Sequence, residues 1–320
     1  MVSNEQGINV VLGGTGTIGS AVVDELRRQG RPVRVVSRHP SSVAHGQAET
    51  VVASIEDRDS LASAIDGASV VYLCAQPPYA EWVDRFVPMT RTVIDAVADT
   101  GAVLVLADNL YAYGPVQGPM RPTTPMRPTT PKAAVRAEMA RLLLEAYAAG
   151  RIQAAIGRAS DYFGPRGVAT VNGPRTFGAV VAGKRATWLG SLDVPHSMTY
   201  TEDFGRALVR LGDRPEALGQ IWHIPSHTMT ARAFLERVHA VAGVPARIGS
   251  TSRQMLAVAG LFMSAAREVR PMLYQFEQPF VSDWSDFERV LGPFEVTPLD
   301  DAIARTLDWW RTKAGRIGTV

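Results

Sequence analysis

The stretch "VVLGGTGTIGSAVVDEL" holds the residues whose type and spacing point most directly to chemistry. Gly13, Gly16 and Gly19 stand three apart, and Gly14, Gly16 and Gly19 also satisfy G-x-G-x-x-G. Without β-carbons such a turn stays tight and lets backbone amides approach a pyrophosphate. The N-terminus of the helix that follows offers free N–H groups and partial positive charge to the same anion. The pattern predicts a dinucleotide site, with Gly13, Thr15, Gly16, Thr17, Ile18 and Gly19 at the phosphates. Which dinucleotide is read from "VRVVSRHP". An NAD site sets a carboxylate on the ribose about 20 residues past the glycines. Here Ser37 and Arg38 occupy that place, and a hydroxyl with a guanidinium suits a 2′-phosphate. NADP(H) is therefore expected in preference to NAD(H).

A second constellation follows a doubled hexapeptide. "PMRPTTPMRPTTPKAAVRAEM" prints MRPTTP twice and then opens a helix carrying Lys132 and Arg136 one turn apart. Lysine donates a proton near neutrality only if burial or a neighbouring cation lowers its pKa from about 10.4. Arg136 offers such a cation and can bond a ribose hydroxyl, but it is no proton donor itself. The plainer alternative is a pair of solvated charges on an ordinary helix. His196 and His223 read as packing or edge residues of strands. There is no Cys/His cluster with metal-ligand spacing and no G-x-S-x-G, so neither a metal nor a hydrolytic nucleophile is expected.

These residues need a scaffold, and the pattern around them supplies one. Strands are expected at Ile8–Leu12, Val33–Val36, Thr50–Ala53, Ser69–Cys74, Ala102–Ala107 and Ile152–Gly157. Helices are expected between them at Thr17–Arg28, Arg58–Ile65, Glu81–Asp99 and Lys132–Ala149. Strand and helix in regular alternation predict right-handed βαβ units: an α/β, doubly wound parallel Rossmann sheet. After about Pro165 the rhythm loosens. Helices near Pro174–Ala182, Thr201–Leu211, Thr230–Ala242, Gln254–Val269 and Leu299–Thr312, with a strand at Ala186–Leu189, suggest a smaller C-terminal substrate-binding domain. The expected division is residues 1–165, with a returning strand near 219–225, and a cap of residues 166–320.

Composition excludes several classes. The chain has 320 residues, 46% hydrophobic and 20% charged, with net charge +2, so no nucleic-acid footprint is expected. The lone Cys74 allows no internal disulfide and suits a reducing cytoplasm. No stretch approaches the roughly 18 apolar residues of a membrane span, and the N-terminus does not read as a signal peptide.

On these motifs the sequence resembles the extended short-chain dehydrogenase/reductase superfamily of the NAD(P)-dependent epimerase/dehydratase type. Beside "GGTGTIG", "ASIEDRDSLASAIDGASVVYLCA" is similar to the family's acidic turn, helix and fourth strand, "LADNLYAYGP" to its "SSxxVYG" segment, and "IGRASDYFGP" to "LRPxNVYGP". The resemblance implies cofactor contacts from Ser54, Ile55, Cys74, Ala75, Gln76, Lys132 and Ala159. It also implies a substrate cleft near Asp161, Tyr162 and Tyr274, and a possible homodimer through the helices Glu81–Asp99 and Lys132–Ala149. The family's chemistry uses Tyr-x-x-x-Lys and a Ser or Thr. Those places fall here on Lys132, Arg136 and Asn109. Lys132 is then the expected proton donor beside the nicotinamide, and Tyr111, Tyr113 or Tyr162 could substitute as the acid.

Three functions remain open on the sequence. The first is an NADP(H)-dependent oxidoreductase or epimerase-like enzyme acting on a small carbonyl or enone substrate. The second is a non-catalytic NADP(H)-sensing regulator. The third is an enzyme for a non-redox cyclisation or elimination on the same fold. The apolar second half, with "TYTEDF", "IWHIPSH" and "LYQFEQPF", favours a small-molecule pocket and hence an enzyme.

Overall fold

The structure, a computed structural model, describes residues 7–39 and 48–317. Six strands, β1 (Ile8–Leu12), β2 (Val33–Ser37), β3 (Glu49–Val52), β4 (Ala68–Leu73), β5 (Val103–Asn109) and β6 (Gln153–Ala159), form a parallel sheet with the later strand Ile221–His223. The order is Ile221–His223, β6, β5, β4, β1, β2, β3, which reverses direction at β1. The central strands β1, β4 and β5 are buried on both faces and read as nearly continuous apolar runs, while the edge strand β3 is largely exposed.

Side-chain alternation divides the core into two layers. Val10 and Leu12 of β1 pack with α2 (Arg58–Ala64), α3 (Trp82–Ala98) and α4 (Pro131–Ala148). Val11, between them, packs on the other face with α1 (Thr17–Arg28) and the helix Thr201–Asp213. The chain after residue 166 therefore contributes to both regions. Thr201–Asp213, Trp222 and Phe287 pack on the Rossmann sheet. A separate core around Phe163, Phe177, Trp188, Phe234 and Phe276 holds the remainder together.

The doubled MRPTTP is ordered and its two copies do different things. Met120 is buried and pairs its backbone with Val281 and Asp283, while Met126 Sδ accepts from Arg158 at 3.2 Å. Thr124 Oγ1 accepts from the Arg121 amide, whereas its counterpart Thr130 is the N-cap of α4 and accepts from the Ala133 amide at 3.2 Å. Pro131 then fills the first helical position, where no amide hydrogen is needed.

Other boundaries moved. The expected helix Gln254–Val269 is two helices, Arg253–Ala259 and Ser264–Val269, because Gly260, a poor helix former, ends the first. The expected helix Pro174–Ala182 opens as a π-type turn over Gly173–Gly178. Strands at Asp161–Phe163, His227–Thr230 and Ile248–Thr251 had no counterpart in the sequence reading, being only three or four residues long, whereas Pro195–Tyr200 carries His196, expected in or near a strand.

Candidate active site

A cleft of about 920 Å³ runs along the C-terminal ends of β1, β2, β4, β5 and β6, where open α/β sheets place their ligands. Its first half is built from the glycine turn. Gly13, Thr15, Gly16, Thr17 and Ile18 form the floor, with Ile55, Cys74, Ala75, Gln76 and Ala159 around it. Gly16 is the N-cap of α1 and no side chain caps that terminus. A β-carbon on Gly16 would meet only the Gly13 carbonyl oxygen, at 3.3 Å, so the space above it is open. An uncapped helix terminus over a glycine cradle fits a dinucleotide pyrophosphate.

Two expected cofactor residues are not in this wall. Gly19 faces the turn at Gly13–Gly14, where a β-carbon would lie 2.2 Å from the Gly13 oxygen; its part is close helix–turn packing. The Ser54 hydroxyl accepts from the Glu56 amide at 3.3 Å and shapes the turn.

At the adenosine end Ser37 and Arg38 line the cleft, but Ser37 Oγ donates to the His39 carbonyl at 2.7 Å. That bond uses the one hydroxyl hydrogen of Ser37, and Arg38 is the cation beside it in the lining. The sequence reading missed Glu56 and Arg85, which also line this end and pair at 2.7 Å. The hydrogen bond from Arg85 holds the Glu56 carboxyl below its ordinary range, with smaller help from the Arg38 charge. Glu56 and Arg85 lie 29 residues apart, so no local pattern marked them.

The second half gathers Asn109, Tyr111, Arg136, Asp161 and Tyr162 in one wall. Asn109 Oδ1 accepts from the Tyr111 amide at 3.1 Å, which leaves its amide nitrogen to donate. Arg136 is buried, with its guanidinium carbon 4.4 Å from the Trp82 ring and 4.2 Å from that of Phe86. Its Nη1 lies 3.5 Å from Asp108 Oδ1, and its Nε has no partner. Asp108 is shared: its Oδ2 accepts from Arg158 Nε at 2.7 Å. Burial raises the Tyr162 pKa and the Arg136 charge pulls it back. Burial likewise raises Tyr111, and the negative charge of Asp161 adds to the rise.

Three expected participants stand outside the wall. The Lys132 ammonium is paired with Glu268 of the helix Ser264–Val269 and sits 4.0 Å from the Tyr79 ring centroid. It is Tyr79 that faces the cleft, so Lys132 stands one layer behind and does not have the expected place beside the nicotinamide. Tyr113 is buried, its hydroxyl 2.8 Å from His223 Nε2 and its ring 4.8 Å from the Arg158 guanidinium. Tyr274 packs against the cluster of Leu110, Tyr113, Met120 and Phe280, and its neighbour Gln275 lines the cleft instead.

The histidines differ. His223 is enclosed by Tyr113 and Ser282, and burial pushes its pKa down to about 3. His196 does more than pack: its Nε2 lies 2.9 Å from Asp161 Oδ2, while its ring stacks on Phe276 and Phe280. Among the described residues no group of three His, Cys, Asp or Glu side chains could hold a metal ion, and no helix is long and apolar enough to cross a membrane.

The model of the NAD dependent epimerase/dehydratase family matches residues 9–224. No curated protein matches the sequence. Among solved structures, a double mutant of the dTDP-glucose 4,6-dehydratase DesIV from Streptomyces venezuelae, with NAD bound, is similar with a TM-score of 0.78. The identity is 19% over 96% of this chain and 98% of that one. A UDP-glucuronic acid 4-epimerase from Bacillus cereus, in complex with UDP-glucuronic acid and NAD, is similar with a TM-score of 0.79 and 16% identity, over 96% of this chain and 99% of that one. At these identities the likeness is one of fold.

Proposed function

The chain belongs to the NAD dependent epimerase/dehydratase family, and from that premise we propose an NADP(H)-dependent oxidoreductase or epimerase-like enzyme acting on a small carbonyl or enone compound. The observation that carries the proposal is the meeting of Tyr162 and Arg136 in the cleft wall, next to the glycine cradle. Bound nicotinamide supplies hydride exchange. Tyr162 holds a proton at its hydroxyl at neutral pH, because burial raises its pKa. Arg136 stabilises the tyrosinate left when that proton moves to a substrate oxygen, and Asn109 Nδ2 orients that oxygen. Tyr162 and Arg136 thus divide the labour of an acid and its neighbouring cation, and Lys132 braces the wall from behind through Glu268.

Arg38 at the adenosine end supports a preference for the 2′-phosphate. The side-by-side helices α3 and α4, whose outer faces carry Arg91, Glu138 and Arg141, suit a homodimer interface. The lone cysteine suits a cytoplasmic site of action.

Calorimetric titration tests the cofactor half. NADPH should bind at least tenfold more tightly than NADH, about 1.4 kcal/mol, and Arg38→Asp should remove most of that gap. Equal affinities, or a preference for NADH, overturn the NADP(H) assignment. A panel of carbonyls and enones, followed by cofactor absorbance, tests the chemistry. Tight nucleotide binding without hydride transfer on any of them would move the sensor and non-redox readings ahead.

A further inference from the structure

The far wall of the cleft has a composition of its own. Leu256, Met263, Val269, Met272, Phe276 and Phe280 face the cavity there, all from the segment between residues 251 and 280. No side chain of that segment that lines the cleft is charged, and only Thr251 and Gln275 among them are polar. Outside the cavity the apolar surface continues. Leu261 is 75% exposed and Phe262 84%, with Met255, Val258 and Met263 also exposed. Met263 belongs to both surfaces, so the ridge between the helices Arg253–Ala259 and Ser264–Val269 forms an apolar rim at the cleft mouth.

The cations of the cleft lie elsewhere. Arg38 and Arg85 stand at the adenosine end, where Arg85 is tied to Glu56. Arg136 is enclosed by Trp82, Phe86 and Asp108. Arg175 follows a loop held to the glycine turn, where Thr17 Oγ1 donates to the Arg166 carbonyl at 2.9 Å. A sugar nucleotide brings a diphosphate that must be met by cations or amide donors at its own end of the cleft. The far wall offers it neither charge nor a dense set of donors. An apolar body, by contrast, is stabilised there by surface removed from water. The carbonyl itself stays with Tyr162 and Asn109 of the cleft wall described above, and Gln275 is the one amide side chain that the far wall adds.

We infer that the substrate is a lipophilic carbonyl compound whose apolar body lies along Leu256, Val269, Met272 and Phe276, with its far end at the Met263 rim. The inference rests on the enzymatic reading above and narrows its substrate class.

Calorimetry on the NADP⁺-loaded protein tests it with methyl ketones of four, eight and twelve carbons and with UDP-glucose as comparator. Affinity should rise by about tenfold for each pair of methylenes buried, until the chain reaches the rim. UDP-glucose should bind more weakly than the longest ketone. Met263→Lys, at a surface position that the fold tolerates, should weaken the longest ketone about tenfold and leave NADPH affinity unchanged. Affinity independent of chain length, or tighter binding of UDP-glucose, overturns the inference while the enzymatic reading stands. Failure of NADPH itself to bind overturns that reading instead, so the two failures are separate.

Discussion

Lys132 of α4 and Glu268 of the helix Ser264–Val269 form an ion pair across 136 residues of chain, with the Tyr79 ring beneath the ammonium. The pair ties the sheet-covering helix layer to the far wall of the cleft. Its energy is modest, because Glu268 is half-exposed and screened by solvent. Lys132→Met and Glu268→Gln should each cost about 1 kcal/mol of stability in urea unfolding, with a double mutant no worse than the worse single one. Both should reduce turnover equally and slightly. A hundredfold loss in Lys132→Met alone, with Glu268→Gln near wild type, would restore lysine as the proton donor.

Tyr162→Phe removes the proposed acid and nothing that holds the nucleotide. Turnover should fall about a hundredfold or more with NADPH affinity within a few-fold. Arg136→Met should weaken the cofactor and act on the pH profile as well. The arginine charge lowers the Tyr162 pKa, so its removal raises that pKa further. The alkaline limb of the rate profile for carbonyl reduction should therefore move to higher pH. An alkaline limb that stays in place in Arg136→Met separates Tyr162 from the chemistry and makes Tyr111 the next candidate.

Gly16 and Gly19 should fail in different ways. A side chain at Gly16 enters open cleft space, so Gly16→Val should fold with an unchanged circular dichroism spectrum and lose nucleotide binding. At Gly19 the added β-carbon overlaps the Gly13 oxygen, so Gly19→Val should unfold at lower denaturant. Normal NADPH binding by a folded Gly16→Val protein would place the nucleotide elsewhere.

His223 gives the fold an acid-side weakness. Its pKa is near 3 in the folded chain, against about 6.5 for an ordinary histidine. Between those values the unfolded chain takes up a proton that the folded chain refuses. This contribution is complete above about pH 6.5 and is lost progressively as pH falls toward 3. Urea midpoints measured down that range should fall less steeply in His223→Gln than in the wild-type protein. Parallel slopes would show that the Tyr113–His223–Ser282 cluster does not govern acid stability.

Much of this molecule is written locally. Short apolar runs such as β1, β4 and β5, with helix-length segments between them, are enough to specify a parallel sheet covered by helices. The glycine spacing fixes the cradle within a single turn, and Thr130-Pro131 marks the start of α4. The strand Ile221–His223 was legible for the same reason, as a short apolar run that completes the sheet. What the sequence left open depends on residues that meet only after the chain has returned. Lys132 and Arg136 are one helical turn apart, yet one pairs with Glu268, 136 residues on, and the other lines the cleft. His196 looked like core until Asp161, on the neighbouring strand, gave its Nε2 a partner. A carboxylate from β5 and a guanidinium from β6 likewise decide how much charge reaches Arg136. Periodicity governs which residues share a face of one element. It carries no information about which distant side chain will supply the charge opposite, and that charge sets which groups in the cleft can move a proton.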